Sequence, residues 1–397
     1  MLAVVLSFDR FPLGLLGCYG NASVETPCLD RIAASSVVFD QHFGEDFTPT
    51  PAGHAWWSRC SHFARPGTDG QSRMPSLPSL LAAGGVESTW ITEENSSPLV
   101  PLPGDASVVV QTTGIDGILQ RGSELIETWT HQPKSRRLLW LKVGESAWDF
   151  RRLPEMEWDE EEQSLISDVL NAGVLGTPKP GWSAAHWEIY RELLELAVTS
   201  LDFDIKPLWE QIQNQKSDRR VLFLITSAQG MLLGSRAQLP TKDTSWVEDI
   251  VHLPLIGYYS SYLGGERHLQ FTQTTDLPAT LLDYFACPSP DGLESRSVFP
   301  IFLEEALPEQ ETLTFGCQGS WGAVRTRDFY FVRVQGDDPD EPQRLLFMKP
   351  EDTWDWHDVS AQEPEMTETL SEQLDKSTNV AEDQPPVSNE LETKPSD

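Results

Sequence analysis

Four short apolar runs, at residues 2–8, 107–111, 138–143 and 221–226, constrain this chain more than any other feature. None alternates strictly between apolar and polar residues, so each reads as a strand covered on both faces. Helical patterns lie between them. Thr26-Pro27 supplies an N-cap and a first-turn proline ahead of Leu29, Ile32 and Ala33. Residues 115–129 carry Ile118, Leu119, Leu125, Ile126 and Trp129 at helical spacing. A longer stripe runs from 185 to 215, where Pro207 is expected to kink the helix or begin a new one. A shorter helix is expected at 275–285, capped by Thr275 or Asp276. Strands separated by such helices predict an α/β fold with a mostly parallel sheet wrapped by helices.

Residues 328–334 and 344–349 behave differently. They alternate, flank a turn at 336–342 and predict a small antiparallel sheet. The acidic, Pro- and Gly-rich stretch 152–181 reads as a surface loop. The expected layout is an α/β domain over 1–318, a small antiparallel subdomain over 319–360 and an acidic disordered tail over 361–397. Between 351 and 397 fall 14 acidic and 2 basic residues, and the last part shows no aromatics and no sustained apolar period.

The whole chain carries 61 acidic against 29 basic residues, a formal charge of −32. That excess disfavours nucleic acid and anionic membrane surfaces as main partners, because both repel it. Cys18, Cys28, Cys60, Cys287 and Cys317 are odd in number and none is paired at zinc-knuckle spacing, so free thiols are expected. No run reaches membrane-spanning length and no signal-peptide pattern opens the chain. A cytoplasmic location is therefore expected, with the Asn-x-Ser sites at Asn21 and Asn95 silent. The sequence carries no sign of its oligomeric state.

Several motifs fall in a telling order. Gly17-Cys18-Tyr19-Gly20-Asn21 is followed by Thr26-Pro27-Cys28-Leu29-Asp30-Arg31-Ile32-Ala33 and Val37-Val38-Phe39-Asp40. Further on come 222–234, His252-Leu253-Pro254-Leu255-Ile256, Thr275-Asp276-Leu277-Pro278-Ala279-Thr280-Leu281-Leu282 and 292–300. The segments 325–332 and 346–359 complete the series. This succession resembles the sulfatase family of the alkaline phosphatase superfamily, across about residues 1–360. The resemblance implies a mixed, mostly parallel sheet flanked by helices, with a small C-terminal antiparallel sheet. It also implies hydrolysis of sulfate esters by a formylglycine, made from Cys or Ser, beside a calcium ion held by carboxylate and amide oxygens.

The residues at the positions that the resemblance assigns to chemistry are largely substituted. Where the family has two adjacent metal-binding Asp, this chain has Asp9 and Arg10. Where a second pair should follow Thr226-Ser227, it has Ala228 and Gln229. The nucleophile motif aligns with Thr50-Pro51-Ala52-Gly53-His54, placing Thr50 at the modified Cys and His54 at the following Arg. Cys60 lies too late to serve as the formylglycine. A Lys and a His expected within 85–95 are replaced by Glu93 and Asn95, Lys242 lies near a second expected Lys, and no His-x-Pro follows 138–143. One carboxylate of three is too few to hold calcium tightly, so no cofactor is expected unless the site is active, in which case calcium is.

Two readings follow. In the first, the chain keeps the sulfatase fold without its chemistry and acts as a binding or scaffold pseudoenzyme, with Arg10 and Gln229 as ligand-binding residues and Asp9 as a vestigial metal ligand. In the second, it is an active sulfate- or phosphate-ester hydrolase with a non-standard site around Asp9, Arg10 and Thr50, with His54. The partner expected from the resemblance is a sulfated or phosphorylated small molecule or glycan. Trp56, Trp57, Trp182 and Trp187 either line a cleft or pack in a core, and packing is the expectation.

Overall fold

The computed structural model describes residues 1–44, 76–93, 107–132, 135–150, 153, 160–171, 182–215, 219–233, 245–289, 295–317, 320–336 and 341–383. Ten strands come first in the chain: β1 (Leu2–Arg10), β2 (Val37–Phe39), β3 (His42–Phe43), β4 (Glu87–Glu93), β5 (Ser107–Thr112), β6 (Arg137–Val143), β7 (Val221–Gln229), β8 (Leu255–Tyr259), β9 (Glu266–His268) and β10 (Thr272–Gln273). Eight form one sheet in the order β5-β4-β6-β1-β7-β8-β2-β9. All run parallel except β8, which is antiparallel to β7 and β2. The four apolar runs are thus β1, β5, β6 and β7; three lie buried at the centre of the sheet, but β5 is its edge strand, with Val108 and Val109 exposed, so the expected cover on both faces is corrected there.

Helices α1 (Pro27–Ala34), α2 (Leu77–Ala83), α3 (Gly114–Thr130), α4 (Glu160–Asn171), α5 (Ala184–Asn214), α6 (Glu248–Val251) and α7 (Asp276–Tyr284) surround it. Strand β1 shows why its run is unbroken. Leu2, Val4, Leu6 and Phe8 pack with α1, α3, α4 and α5, whereas Ala3 and Val5 pack with α2 and α7. Both faces need apolar side chains, and the period of two disappears from the sequence.

Four expectations change. Helix α5 runs through Pro207 without ending, which removes the second of the two alternatives, a new helix beginning there. The stretch 152–181, read as a loop, contains α4, whose Val169 is buried and whose acidic first residues suit a helix N-terminus. Helix α1 is not capped by Thr26. The carboxylate of Asp202 on α5 instead accepts from the amides of Cys28 (2.9 Å) and Leu29 (2.7 Å). At α7 neither Thr275 nor Asp276 caps the first turn: the Asp276 carboxylate accepts from the Gln273 amide (2.9 Å) and the Arg296 amide (3.0 Å).

The chain ends in an antiparallel sheet of β11 (Thr312–Cys317), β12 (Trp321–Thr326), β13 (Phe329–Val334) and β14 (Gln343–Met348). Its inner face meets Trp246, Val247 and Val251 beside α6. Its outer face is covered by α8 (Pro364–Asp383), through Leu370 and Leu374 against Val324, Phe331 and Leu346. The disordered tail expected from 361 is therefore corrected over 364–383. Met366, Leu370 and Leu374 recur every fourth residue, enough for a narrow apolar stripe. Asp375 and Glu368 pair with Arg333 (2.7 Å) and Arg344 (2.8 Å) of the sheet. Among the described residues no helix is long and apolar enough to cross a membrane. Cys18, Cys28, Cys287 and Cys317 are free thiols, and Cys60 lies outside the described residues.

Candidate site at the strand ends

The parallel strands all finish on one edge of the sheet, where side chains escape the two covering layers and polar groups become tolerable. There β1 ends in Asp9 and Arg10, β4 in Glu93, and β7 in Ala228 and Gln229. The β1–β7 ladder continues to its last rung, Arg10 opposite Gln229. Ala228 sits one residue before that rung, beside Asp9, and its methyl packs in the core with β1.

A charged residue that the sequence reading passed over lies among these groups. Lys142, inside the apolar run of β6, is only 3% exposed, and its Nζ stands 3.0 Å from Asp9 Oδ1. Strand alternation puts both side chains on the α2/α7 face. The ammonium makes no well-aligned hydrogen bond among the described residues, so the Asp9 carboxylate is the main compensation for its burial. A lone lysine in a run otherwise apolar is the signal that could have found it.

Glu93 is held beside this pair. Its Oε1 accepts from the Gly144 amide (2.8 Å) and from Ser146 Oγ (2.5 Å). Gly144 is where the two carboxylates come together: a Cβ there would stand 3.0 Å from Glu93 Oε2 and 3.4 Å from Asp9 Oδ2. Arg10 follows Asp9 on the opposite face, toward α5. There its charge opposes the rise that burial imposes on the Tyr190 phenol pKa. Its carbonyl accepts from Trp148 Nε1 (3.0 Å), fixing the exit of β1. Two acids and two bases thus meet at the strand ends. Trp182 and Trp187 are not lining groups; they pack on Tyr190 with ring centroids 5.6 and 5.9 Å away. Thr50, His54, Lys242, Asn95, Trp56 and Trp57 lie outside the described residues.

No family model and no curated protein matches the chain by sequence. Solved structures do match it by shape. A putative sulfatase from Bacteroides thetaiotaomicron superposes with a TM-score of 0.74 at 13% identity, covering 96% of this chain and 92% of that one. The phosphonate monoester hydrolase of Agrobacterium radiobacter gives 0.70 at 14% identity, covering 96% and 95%. The fold is that of the sulfatases. A third structure with this fold was solved in complex with its substrate, D-glucosamine-2-N,6-O-disulfate, and matches at 0.69 and 13% identity over 98% and 99% of the two chains.

Within the sulfatase fold, the residues described at the strand ends do not fit a calcium ion. Calcium takes six to eight oxygens. Here Asp9 already faces an ammonium, its β7 neighbour Ala228 offers no oxygen, and Gln229 offers one neutral oxygen at most. Among the described residues no three of His, Cys, Asp and Glu gather as a metal shell. Arg10, which stands where the family has its second Asp, leaves Asp9 to Lys142 and lies on the other face of β1.

Proposed function

We propose that this protein keeps the sulfatase fold but has lost ester hydrolysis, and acts as a binding or scaffold protein for a sulfated or phosphorylated small molecule or glycan. The observation that supports this most directly is the methyl group of Ala228 beside Asp9, where the sulfatase pattern calls for an oxygen ligand. Without a divalent ion, nothing described at the site polarises an ester oxygen or raises the acidity of a hydroxyl nucleophile such as Thr50. Arg10 and Gln229, paired across the end of the ladder, remain as groups able to hold an oxyanion by charge and hydrogen bonding. On this reading Asp9 is a vestigial ligand, no cofactor is required, and the protein works in the cytoplasm.

The test is turnover of aryl sulfate, aryl phosphate and aryl phosphonate monoester by the purified chain, with an Arg10→Ala variant as control. The expected result is no turnover above that control, together with weakened binding of a sulfated disaccharide by the variant. Turnover that disappears on Arg10→Ala or Asp9→Ala would establish the active hydrolase instead.

A further inference from the structure

We infer that the Lys142 ammonium is the built-in cation of the strand-end site, a covalently tethered replacement for the divalent ion that Asp9 would otherwise ligate. The inference rests on the proposed loss of hydrolysis and specifies how the site survives it. Three features converge. The ammonium is almost wholly buried, yet among the described residues its close partner is a carboxylate at the mouth of the sheet. A second carboxylate, Glu93, is steered to the same glycine by two hydrogen bonds. Finally, β6 is elsewhere apolar at every position from Leu138 to Val143, so packing alone gives no reason for a lysine there.

Electrostatics explains the exchange. Two carboxylates converging at the low-dielectric end of a sheet repel each other and require a positive charge between or beside them. A divalent ion supplies it only when enough oxygen ligands surround it. A lysine supplies it without ligands, at fixed stoichiometry, and cannot dissociate. Its single charge attracts sulfate or phosphate oxygens less strongly than a divalent ion does, which suits reversible binding better than ester cleavage.

Thermal unfolding in millimolar calcium and in EDTA tests this on the full chain. The wild-type Tm is expected to be the same in both. Lys142→Ala is expected to lower the Tm in EDTA by about 5 °C, because Asp9 then loses the ammonium it faces. Calcium is expected to restore part of that loss in the variant alone. If Lys142→Ala folds only in calcium, that is the same result in stronger form. Three outcomes overturn the inference: calcium stabilising the wild-type chain, Lys142→Ala matching wild type in EDTA, or calcium leaving the variant's Tm unchanged. Aryl sulfate turnover by EDTA-treated wild type would refute the loss of hydrolysis and leave this inference standing. A calcium-stabilised chain without turnover would do the reverse.

Discussion

Two lysines are buried among the described residues, and they are buried differently. Lys349, at the end of β14, is 1% exposed. It bonds to Glu248, to Asp355 Oδ1 (2.5 Å) and to the Asp352 carbonyl (2.6 Å). Arg325 and His252 also approach Glu248, at 3.9 and 3.7 Å, and Asp355 accepts from the Glu248 amide at 3.0 Å. Burial pushes the Glu248 carboxyl upward, but Lys349 and Arg325 outweigh it and hold the group below its usual range. This cluster fastens the C-terminal sheet to α6, and every donor of the ammonium has an acceptor. Among the described residues Lys142 has one carboxylate and no well-aligned hydrogen bond. A saturated ion cluster is a fastening; an under-saturated buried ammonium at a strand end marks a place where something else can bind.

The contrast can be broken in several ways. Lys349→Met takes the ammonium from between the buried Glu248 and Asp355, and is expected to cost about 4 kcal/mol by urea denaturation. A loss below about 1 kcal/mol would show that the cluster rehydrates and that the two lysines are alike. The same sheet is held on its other face by the apolar contacts of α8, with exposed ion pairs at their rim, so Leu374→Ala is expected to cost about 3 kcal/mol. An unchanged midpoint would mean that α8 is not part of the cooperative unit.

Acid should weaken the fastened side through its histidines. Burial pushes His42 down to about 3, with His252 adding to the fall, and burial also lowers His252 despite Glu248. Each folded value lies below the unfolded value near 6.5, so the unfolded chain binds more protons between the two. The contribution is complete above about pH 6.5 and is lost as pH falls. Asp276 acts in the opposite sense: burial raises it to about 6, so it adds stability as pH falls through that value. Between pH 6.5 and 5, His42→Gln is expected to lose stability less steeply than wild type, by about 1.4 kcal/mol per pH unit. Equal slopes would place the acid sensitivity elsewhere. The smallest effect is ionic. Asp9 is a third exposed, so molar salt should reduce the cost of Lys142→Met by a few tenths of a kcal/mol while leaving that of Lys349→Met unchanged.

The central sheet was legible because burial on both faces writes itself into sequence as unbroken apolar runs. The strands proved longer than those runs: β1 extends to Asp9 and Arg10 because its ladder with β7 continues past the apolar residues. Helices α4 and α8 were missed for a common reason. Their apolar stripes are narrow and lie amid acidic residues, and the surfaces that receive them come from elsewhere in the chain. At the site, the substitutions at Arg10, Glu93, Ala228 and Gln229 were readable by alignment with motifs, strand by strand. The partnership of Asp9 with Lys142 was not, because it depends on which strands are neighbours. Thr50 and His54 keep the standing the sequence gives them.

The Asp202 carboxylate finishes the N-terminus of α1 from 174 residues away in sequence. Strand β1, likewise, sits between β6 and β7 and finds both partners only much later in the chain. During synthesis, then, β1 emerges well before either of its ladder partners. Until β7 leaves the ribosome, one side of β1 has no ladder and its backbone amides stay open to other chains. The price of a central first strand is a long wait, and a ribosome pause within 144–220 would lengthen it.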